Sequence, residues 1–218
     1  MTHEDGPIEP RLSRALLRAA YDKPWLARLE LRRWLSLPMT RLLFARAGIA
    51  WGRGWRFYGV PIVQKHRRST IQIGDGLILR STPHSNPLGP AHPVILSTRR
   101  PGARLVIGRG FGMTGGTLCA EEAITIGDHV LVGANVVIVD TDFHPLASGE
   151  RRAHPNAGAT APVTIEDGVF VGMQALILKG VTIGAHSVIG AGSVVTGDIP
   201  PGVIAAGNPA RVIRPLEG

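Results

Sequence analysis

Cysteine occurs once in the 218 residues, at Cys119, so no intramolecular disulfide holds this chain together. Aromatic residues make up only 5% of it, and all four Trp and both Tyr fall before residue 59. Everything after that must build its core from aliphatic side chains. Acids are outnumbered, 16 Asp and Glu against 24 Lys and Arg, for a net charge of +8. Long apolar runs are missing too. The stretch Leu42–Trp51 is cut by Arg46 and is too short to span a bilayer. The opening Met1–Pro7 is polar and acidic, with no basic segment leading into an apolar core. That argues against a secretory signal and sets the expectation of a cytoplasmic protein. What the chain has in quantity is Gly (28) and Pro (17), without a collagen period, which suits a fold with many corners. A hydrophobic content of 44% marks it as globular, and its length allows one core plus an appendage.

From Ile165 to Val195 an aliphatic residue returns every six positions: Ile165, Val171, Ile177, Ile183, Ile189, Val195. Four residues after each of the first five stands a small or β-branched one: Val169, Ala175, Val181, Ser187, Ser193. Six matches neither the helical period of 3.6 nor strand alternation at 2. It matches a short strand, a corner and a repeat, three strands to a coil. Stacked coils bury the aliphatic positions in continuous columns that no single repeat could bury alone. The sequence therefore predicts a mainly β chain, a parallel β-helix. Ile126, Val132 and Ile138 continue the period upstream. Ile107, Met113 and Cys119 are read as keeping it too, which makes Cys119 a small buried hydrophobe. A weaker trace lies at Ile73-Gly74 and Leu79. The next in-register position after Ile138 is His144, with Asp142 two residues before it. Residues two apart on a strand share a face, so the break in the rule places a carboxylate beside an imidazole. Packing gives no reason for this, and a site does. The segment Pro145–Pro162 that follows reads as a long loop beside that site. A second loop is expected at Thr82–Pro93.

The charge is uneven. Residues 11–68 hold 14 Lys or Arg against Asp22 and Glu30, a balance of +12, while residues 69–218 are nearly neutral. The chain divides into a basic helical segment, 1–58, and a β-helix domain, 59–218, with a closing C-terminal segment. Leu12, Ala15, Leu16 and Ala19 form one helical stripe. Pro24 opens a second helix and Pro38 a third that ends near Gly48. Residues 51–58 read as a joining segment. Three readings of the basic segment are open: a cap over the open end of the β-helix, attachment to an anionic membrane at its inner face through residues 11–68, or nucleic-acid binding. No zinc or helix-turn-helix pattern accompanies the charge, so no nucleic acid is expected.

The segments Ile126-Gly127-Asp128, Asp140-Thr141-Asp142-Phe143-His144-Pro145 and Pro162-Val163-Thr164-Ile165 resemble the hexapeptide-repeat acyltransferases. So does the ending Pro200-Pro201…Ala206-Gly207-Asn208-Pro209-Ala210-Arg211-Val212-Ile213-Arg214. The likeness is to the branch of maltose and galactoside O-acetyltransferases and of polysaccharide and lipopolysaccharide acetyltransferases. It is close over about 107–214, weak over 55–106 and absent before. The resemblance implies a left-handed parallel β-helix, a homotrimer with sites between subunits, and acetyl-CoA as donor. It implies that His144 takes the proton from an acceptor hydroxyl, and an imidazole titrating near neutrality suits that task. A carboxylate beside it would fix the tautomer. Asp142 is the candidate, with Glu121, Glu150 or a backbone carbonyl as alternatives.

Positions matching the family's contacts to the donor are Gly172, Ala191 and Thr196 along the pantetheine arm. Arg211 and Arg214 match at the nucleotide end. Glu121, Glu150 and Thr114 are candidates for the acceptor side. The chain departs from the family pattern at Met173, where many relatives have Ser, at Gly197 for Lys, at Phe170 for Trp, and near Thr114, where simple-sugar enzymes have Asn. The expected activity is transfer of an acetyl group to a sugar hydroxyl of a glycan or glycan precursor. N-acetylation of an amino sugar and a silent trimeric scaffold are the alternatives. No metal is expected. A metal at Asp140, Asp142 and His144, after the manner of related zinc β-helices, is the minor reading.

Overall fold

The computed structural model describes residues 21–216. The stripe expected over Leu12–Ala19 lies outside the described residues. A single helix, α1, spans Pro24–Arg46, with Pro24 in its first turn and Pro38 inside it. The break expected at Pro38 does not occur. Proline removes one intrahelical bond, but both halves are fastened to the same body: Leu29 in the first, Thr40 and Phe44 in the second. Two hydroxyls add bonds around the proline. Ser36 Oγ donates to the Arg33 carbonyl (3.1 Å) and Thr40 Oγ1 to the Ser36 carbonyl (2.8 Å).

After α1 the chain winds as a parallel β-helix, left-handed as the repeat type requires. The first coil is β1 (Arg56–Tyr58), β2 (Ile62–Lys65) and β3 (Thr70–Ile73). The second is β4 (Ile78–Arg80), β5 (Ile95–Thr98) and β6 (Arg104–Ile107). The third is β7 (Gly112–Thr114), β8 (Thr117–Ala120) and β9 (Ala123–Ile126). The fourth holds β10 (Leu131–Val132) and β11 (Val137–Val139), then a short helix α2 (Ser148–Ala153), then β12 (Val163–Ile165). Two-residue strands β13 (Phe170–Val171), β14 (Leu176–Ile177), β15 (Thr182–Ile183), β16 (Val188–Ile189) and β17 (Val194–Val195) continue the winding. A hairpin of β18 (Val203–Gly207) and β19 (Ala210–Pro215) ends it. Stacking gives three sheets. Sheet A runs β1-β4-β7-β10-β13-β16-β18-β19, sheet B β2-β5-β8-β11-β14-β17, and sheet C β3-β6-β9-β12-β15. Residues 51–58, read as a joining segment, thus contain the first strand of sheet A.

The aliphatic columns are the inward positions. Leu79, Met113, Val132, Val171 and Ile189 stack in sheet A, and Ile107, Ile126, Ile165 and Ile183 in sheet C. In sheet B the column is Leu96, Leu118, Ile138, Ile177, Val195, so Leu118 and not Cys119 occupies the expected place. Gly115 and Gly116, both at positive φ, make the corner after β7 one residue shorter and reset the frame. Cys119 pairs laterally with Ser97 and Val139 and is buried all the same, and burial pushes its thiol pKa up.

The N-terminal end of the column is plugged by Phe44, Trp51, Trp55 and Phe57, with ring centroids 5.0–6.0 Å apart. Trp55 Nε1 donates to the Gly74 carbonyl at 2.8 Å. Outer faces differ. Sheet C presents Gln72, Val106, Thr125, Thr164 and Thr182 in one row, whereas sheet A presents Leu131 and Phe170, both exposed. The outer side of α1 leaves Leu31, Leu35, Met39 and Leu42 exposed among arginines. No described helix is long and apolar enough to cross a membrane.

Candidate active site

The site grows at the corner between sheets B and C, where the chain leaves the coil after Val139. Asp140 is fully buried, and its carboxylate accepts the amide hydrogens of Glu121 (2.7 Å) and Glu122 (2.8 Å) in the coil before. Burial raises its pKa, while these amide bonds pull the other way. Thr141 makes an antiparallel bridge to Thr160, closing the neck of the loop. Two further bonds hold the neck: the Asp142 amide donates to the Ala159 carbonyl (3.0 Å) and the Ala161 amide to the Asp140 carbonyl (3.0 Å).

Asp142 and His144 are not strand neighbours, because β11 ends at Val139 and Phe143 turns the chain at φ 61°. His144 is exposed, and its Nδ1 meets the carbonyl oxygen of Pro155 across the loop. A carbonyl only accepts, so Nδ1 carries the hydrogen and Nε2 keeps its lone pair. The Asp142 carboxylate points elsewhere, to Lys179 Nζ at 3.4 Å one coil on. Of the orienting groups the sequence left open, the backbone carbonyl is the one in contact.

The loop that offers Pro155 is itself braced. Arg151 Nη1 donates to the carbonyls of Pro145 and Leu146, both at 2.9 Å. Arg100 Nη2 reaches the Asn156 carbonyl at 3.1 Å, and Thr160 Oγ1 donates to Glu122 at 2.7 Å. Gly158 lies flat against the turn: a Cβ there would come within 2.5 Å of the Phe143 carbonyl carbon and 2.6 Å of the His144 nitrogen.

The other candidates are dispersed. Glu121 is close by, but its carboxylate is held by Arg100 (2.6 Å) and Arg99 (3.6 Å) and accepts from Thr141 Oγ1 (3.0 Å). Glu150 is exposed in the first turn of α2. Thr114 ends β7 at a different corner, between sheets A and B, with Asn86 Nδ2 at 3.4 Å. Gly172 is pressed against the next coil, where a Cβ would come within 2.5 Å of the Ala191 nitrogen. Ala191 and Thr196 are exposed at corners. Arg211 and Arg214 are exposed on β19, and the bonds recorded for them are to nearby backbone carbonyls, Ala210 at 2.9 Å and Pro215 at 3.1 Å. Pro155, Lys179, Arg151 and Gly158 escaped the sequence reading. Only Lys179 carries a residue-type signal, a lone cation at the corner. Among the described residues no group of three or more His, Cys, Asp or Glu is placed to hold a metal ion.

The family profile of bacterial transferase hexapeptides (six repeats) matches residues 162–197, and that of the hexapeptide repeat of succinyl-transferase matches 120–139. Over these segments the chain is similar to hexapeptide-repeat transferases. Galactoside O-acetyltransferase of Escherichia coli is 44% identical over 117 residues, covering 53% of this chain and 56% of that protein. The 2,3,4,5-tetrahydropyridine-2,6-dicarboxylate N-acetyltransferase of Staphylococcus aureus is 40% identical over 90 residues, 41% of this chain and 32% of its own length. A crystal structure of a hexapeptide-repeat acetyltransferase from Vibrio cholerae, complexed with acetyl coenzyme A, superposes with a TM-score of 0.54 at 27% identity. It covers 94% of this chain and 92% of the other. The chain matches about half the length of the first of the curated relatives. In this hexapeptide-repeat protein the repeats set the scaffold, and the loop after Val139 is the feature that repetition does not explain.

Proposed function

We propose that this protein is an acetyl-CoA-dependent O-acetyltransferase acting on a sugar hydroxyl of a glycan or glycan precursor. The observation that carries the reading is His144, an exposed imidazole whose Nδ1–H is held by the Pro155 carbonyl so that Nε2 is available as a base. His144 Nε2 takes the proton of the acceptor hydroxyl. The hydroxyl oxygen attacks the thioester carbonyl of acetyl-CoA, the C–S bond breaks, and the departing sulfur takes the proton back from the imidazolium. Gly172, Ala191 and Thr196 would line the pantetheine arm, and the free N–H groups of Arg211 and Arg214 suit the phosphates of the nucleotide end. Asp142, held by Lys179, acts on the shape of the turn rather than on the ring.

The expected result for His144→Ala is loss of ~10²–10⁴ in kcat with an unchanged melting temperature. Activity within about threefold of wild type would remove His144 from the mechanism. The similarity to an N-acetyltransferase supports a second class of reaction, transfer to nitrogen, for which an amino sugar is the acceptor considered. The product separates the two, since an acetyl ester is cleaved by hydroxylamine and an amide is not.

The protein is further inferred to act as a homotrimer. His144 and Thr114 sit at different corners of one chain, and Leu131 and Phe170 leave an apolar outer face on sheet A. Light scattering that gives the mass of a single chain at micromolar concentration would overturn a shared site. The outer side of α1, apolar and basic, supports contact with an anionic membrane. Equal binding to anionic and neutral vesicles at low salt would refute that contact.

A further inference from the structure

Three guanidinium groups and an imidazole converge on a cleft that no carboxylate lines among the described residues. It lies between the start of α1 and the 3-10 turn Pro83–Ser85 and encloses about 730 Å³, with Trp25, Leu29, Arg80, His84 and Asn86 in its wall. A side chamber of about 290 Å³ shares Trp25, Leu29 and His84 and adds Arg28 and Arg32. Arg80 is fixed in place, with its guanidinium carbon 4.5 Å from the centroid of the Tyr58 ring and Nη1 donating to the Ser85 carbonyl at 2.6 Å. The one acid on α1, Glu30, is occupied. It accepts from Tyr58 Oη at 3.0 Å and from Arg33 Nε at 2.6 Å. Asp22, exposed, lies just before α1, and after Glu30 the next acid in the sequence is Asp75. Arg28, Arg32 and Arg80 thus line the cleft without an ion pair among the described residues.

The cleft is joined to the candidate acceptor side. Arg80 and Asn86 also line a groove of about 370 Å³ on the outer face of sheet A, together with Thr114, Gly133, Leu131 and Phe170. Asn86 thus stands at the junction, its Nδ2 3.4 Å from Thr114 Oγ1. A ligand in this channel meets hydroxyl and amide groups at one end and an indole with the fixed guanidinium of Arg80 at the other. An indole face suits the C–H face of a sugar ring, and a planar guanidinium pairs with a carboxylate or phosphate in two parallel hydrogen bonds.

We infer that the cleft between α1 and the Pro83–Ser85 turn binds an anionic saccharide, one bearing a carboxylate or a phosphate, with Arg80 and Arg28 holding the anionic group. As the identity of an acetyl acceptor this rests on the function proposed above. As a binding site it does not. The test is calorimetric titration of the full chain with four probes: a uronic-acid oligosaccharide, a sugar phosphate, a neutral oligosaccharide of the same length, and inorganic phosphate. At least one charged saccharide should bind about tenfold or more tightly than both the neutral sugar and inorganic phosphate. Which of the two it is identifies the anionic group. Arg80→Gln and Arg28→Gln should each weaken that binding about tenfold and leave acetyl-CoA binding unchanged. Arg28 is exposed and outside the aromatic contacts, so its variant keeps the test valid should Arg80→Gln unfold. Equal affinity for charged and neutral sugars, wild-type affinity in the Arg28 variant, or phosphate binding as tight as the sugar phosphate would overturn the inference. A chain that binds the acidic saccharide but neither binds acetyl-CoA nor transfers acetyl would refute the proposed function and leave this site standing.

Discussion

At the corner joining sheet C to sheet A, Asp75, Asp128 and Asp167 each accept an amide hydrogen from the coil before. The donors are Arg53 (2.8 Å), Arg109 (2.7 Å) and Asp128 (2.7 Å). At the corner joining sheet B to sheet C, Asp140 accepts those of Glu121 and Glu122 in the same way. The first corner is open to solvent, and two of its acids, Asp75 and Asp128, are matched by Arg53 and Arg109 at 2.8 and 2.6 Å. The second is closed over by the loop 145–162, and Asp140 has no exposed surface. The carboxylates of Asp75, Asp128, Asp167 and Asp140 are thus part of the winding, clamps between coils. The presence of one near His144 is no sign of catalysis. What separates the corners is burial of the clamp and the departure of the chain from the coil immediately after it.

The sharpest way to break the comparison is to remove the clamp at each corner. Asp140→Ala leaves at least two amide donors without an acceptor under the loop. At ~1–3 kcal/mol for each buried donor, the loss is about 2–6 kcal/mol. Asp128→Ala exposes its donors to water, which replaces the carboxylate, so its effect on urea denaturation should be far smaller. Equal losses at the two corners would refute the distinction by burial.

The regular corner was legible from sequence and the irregular one only partly, for a physical reason. A six-residue period records burial, so the columns through Ile126, Ile165 and Ile183 could be read directly. It fails where backbone conformation changes the count. Gly115 and Gly116 shorten one corner and moved the inward position from Cys119 to Leu118. Pro38 misled in the opposite sense, since a local rule for ending helices yielded to packing at Leu29 and Phe44. At the site, His144 stood out because it breaks the column. Its partner did not, because the Pro155 carbonyl is a backbone group that any residue would supply. Asp142 was the natural choice by residue type, and the turn at Phe143 carried it to Lys179 instead.

A smaller effect sharpens the role of the loop. Gly158→Ala would force apart two backbone segments, because its Cβ would sit 2.6 Å from the His144 nitrogen. The turn must shift by a few tenths of an ångström or more. Displacement on this scale is expected to lower kcat by ~10-fold or more while global stability changes little. Gly149→Ala in the same loop is the control, since nothing lies within 4 Å of its added methyl. If both variants keep full activity, the bracing of the loop is irrelevant to turnover.

The smallest effect lies at the solvent corner and appears only in acid. Asp75 and Asp128 both titrate below the ordinary value of 3.8. For Asp75 the Arg53 amide is the main cause and its guanidinium the second. For Asp128 the order is reversed, with the Arg109 guanidinium first. A carboxylate with a lower pKa folded than unfolded binds protons more tightly in the unfolded chain. Its stabilisation is complete above about pH 4 and is lost as pH falls through the lowered folded value. Asp140 is shifted upward by burial, so protonation of that group favours the folded chain and opposes the trend. The melting temperature should therefore fall as pH drops below about 4, and the Asp75→Asn/Asp128→Asn double variant should fall less steeply there. About 1 M salt, with a Debye length of ~3 Å, should flatten the wild-type curve in the same direction, because these pairs are exposed. Superimposable curves for wild type and double variant would show that the corner acids contribute only as neutral hydrogen-bond acceptors. The pairing with Arg53 and Arg109 would then add nothing to the clamp.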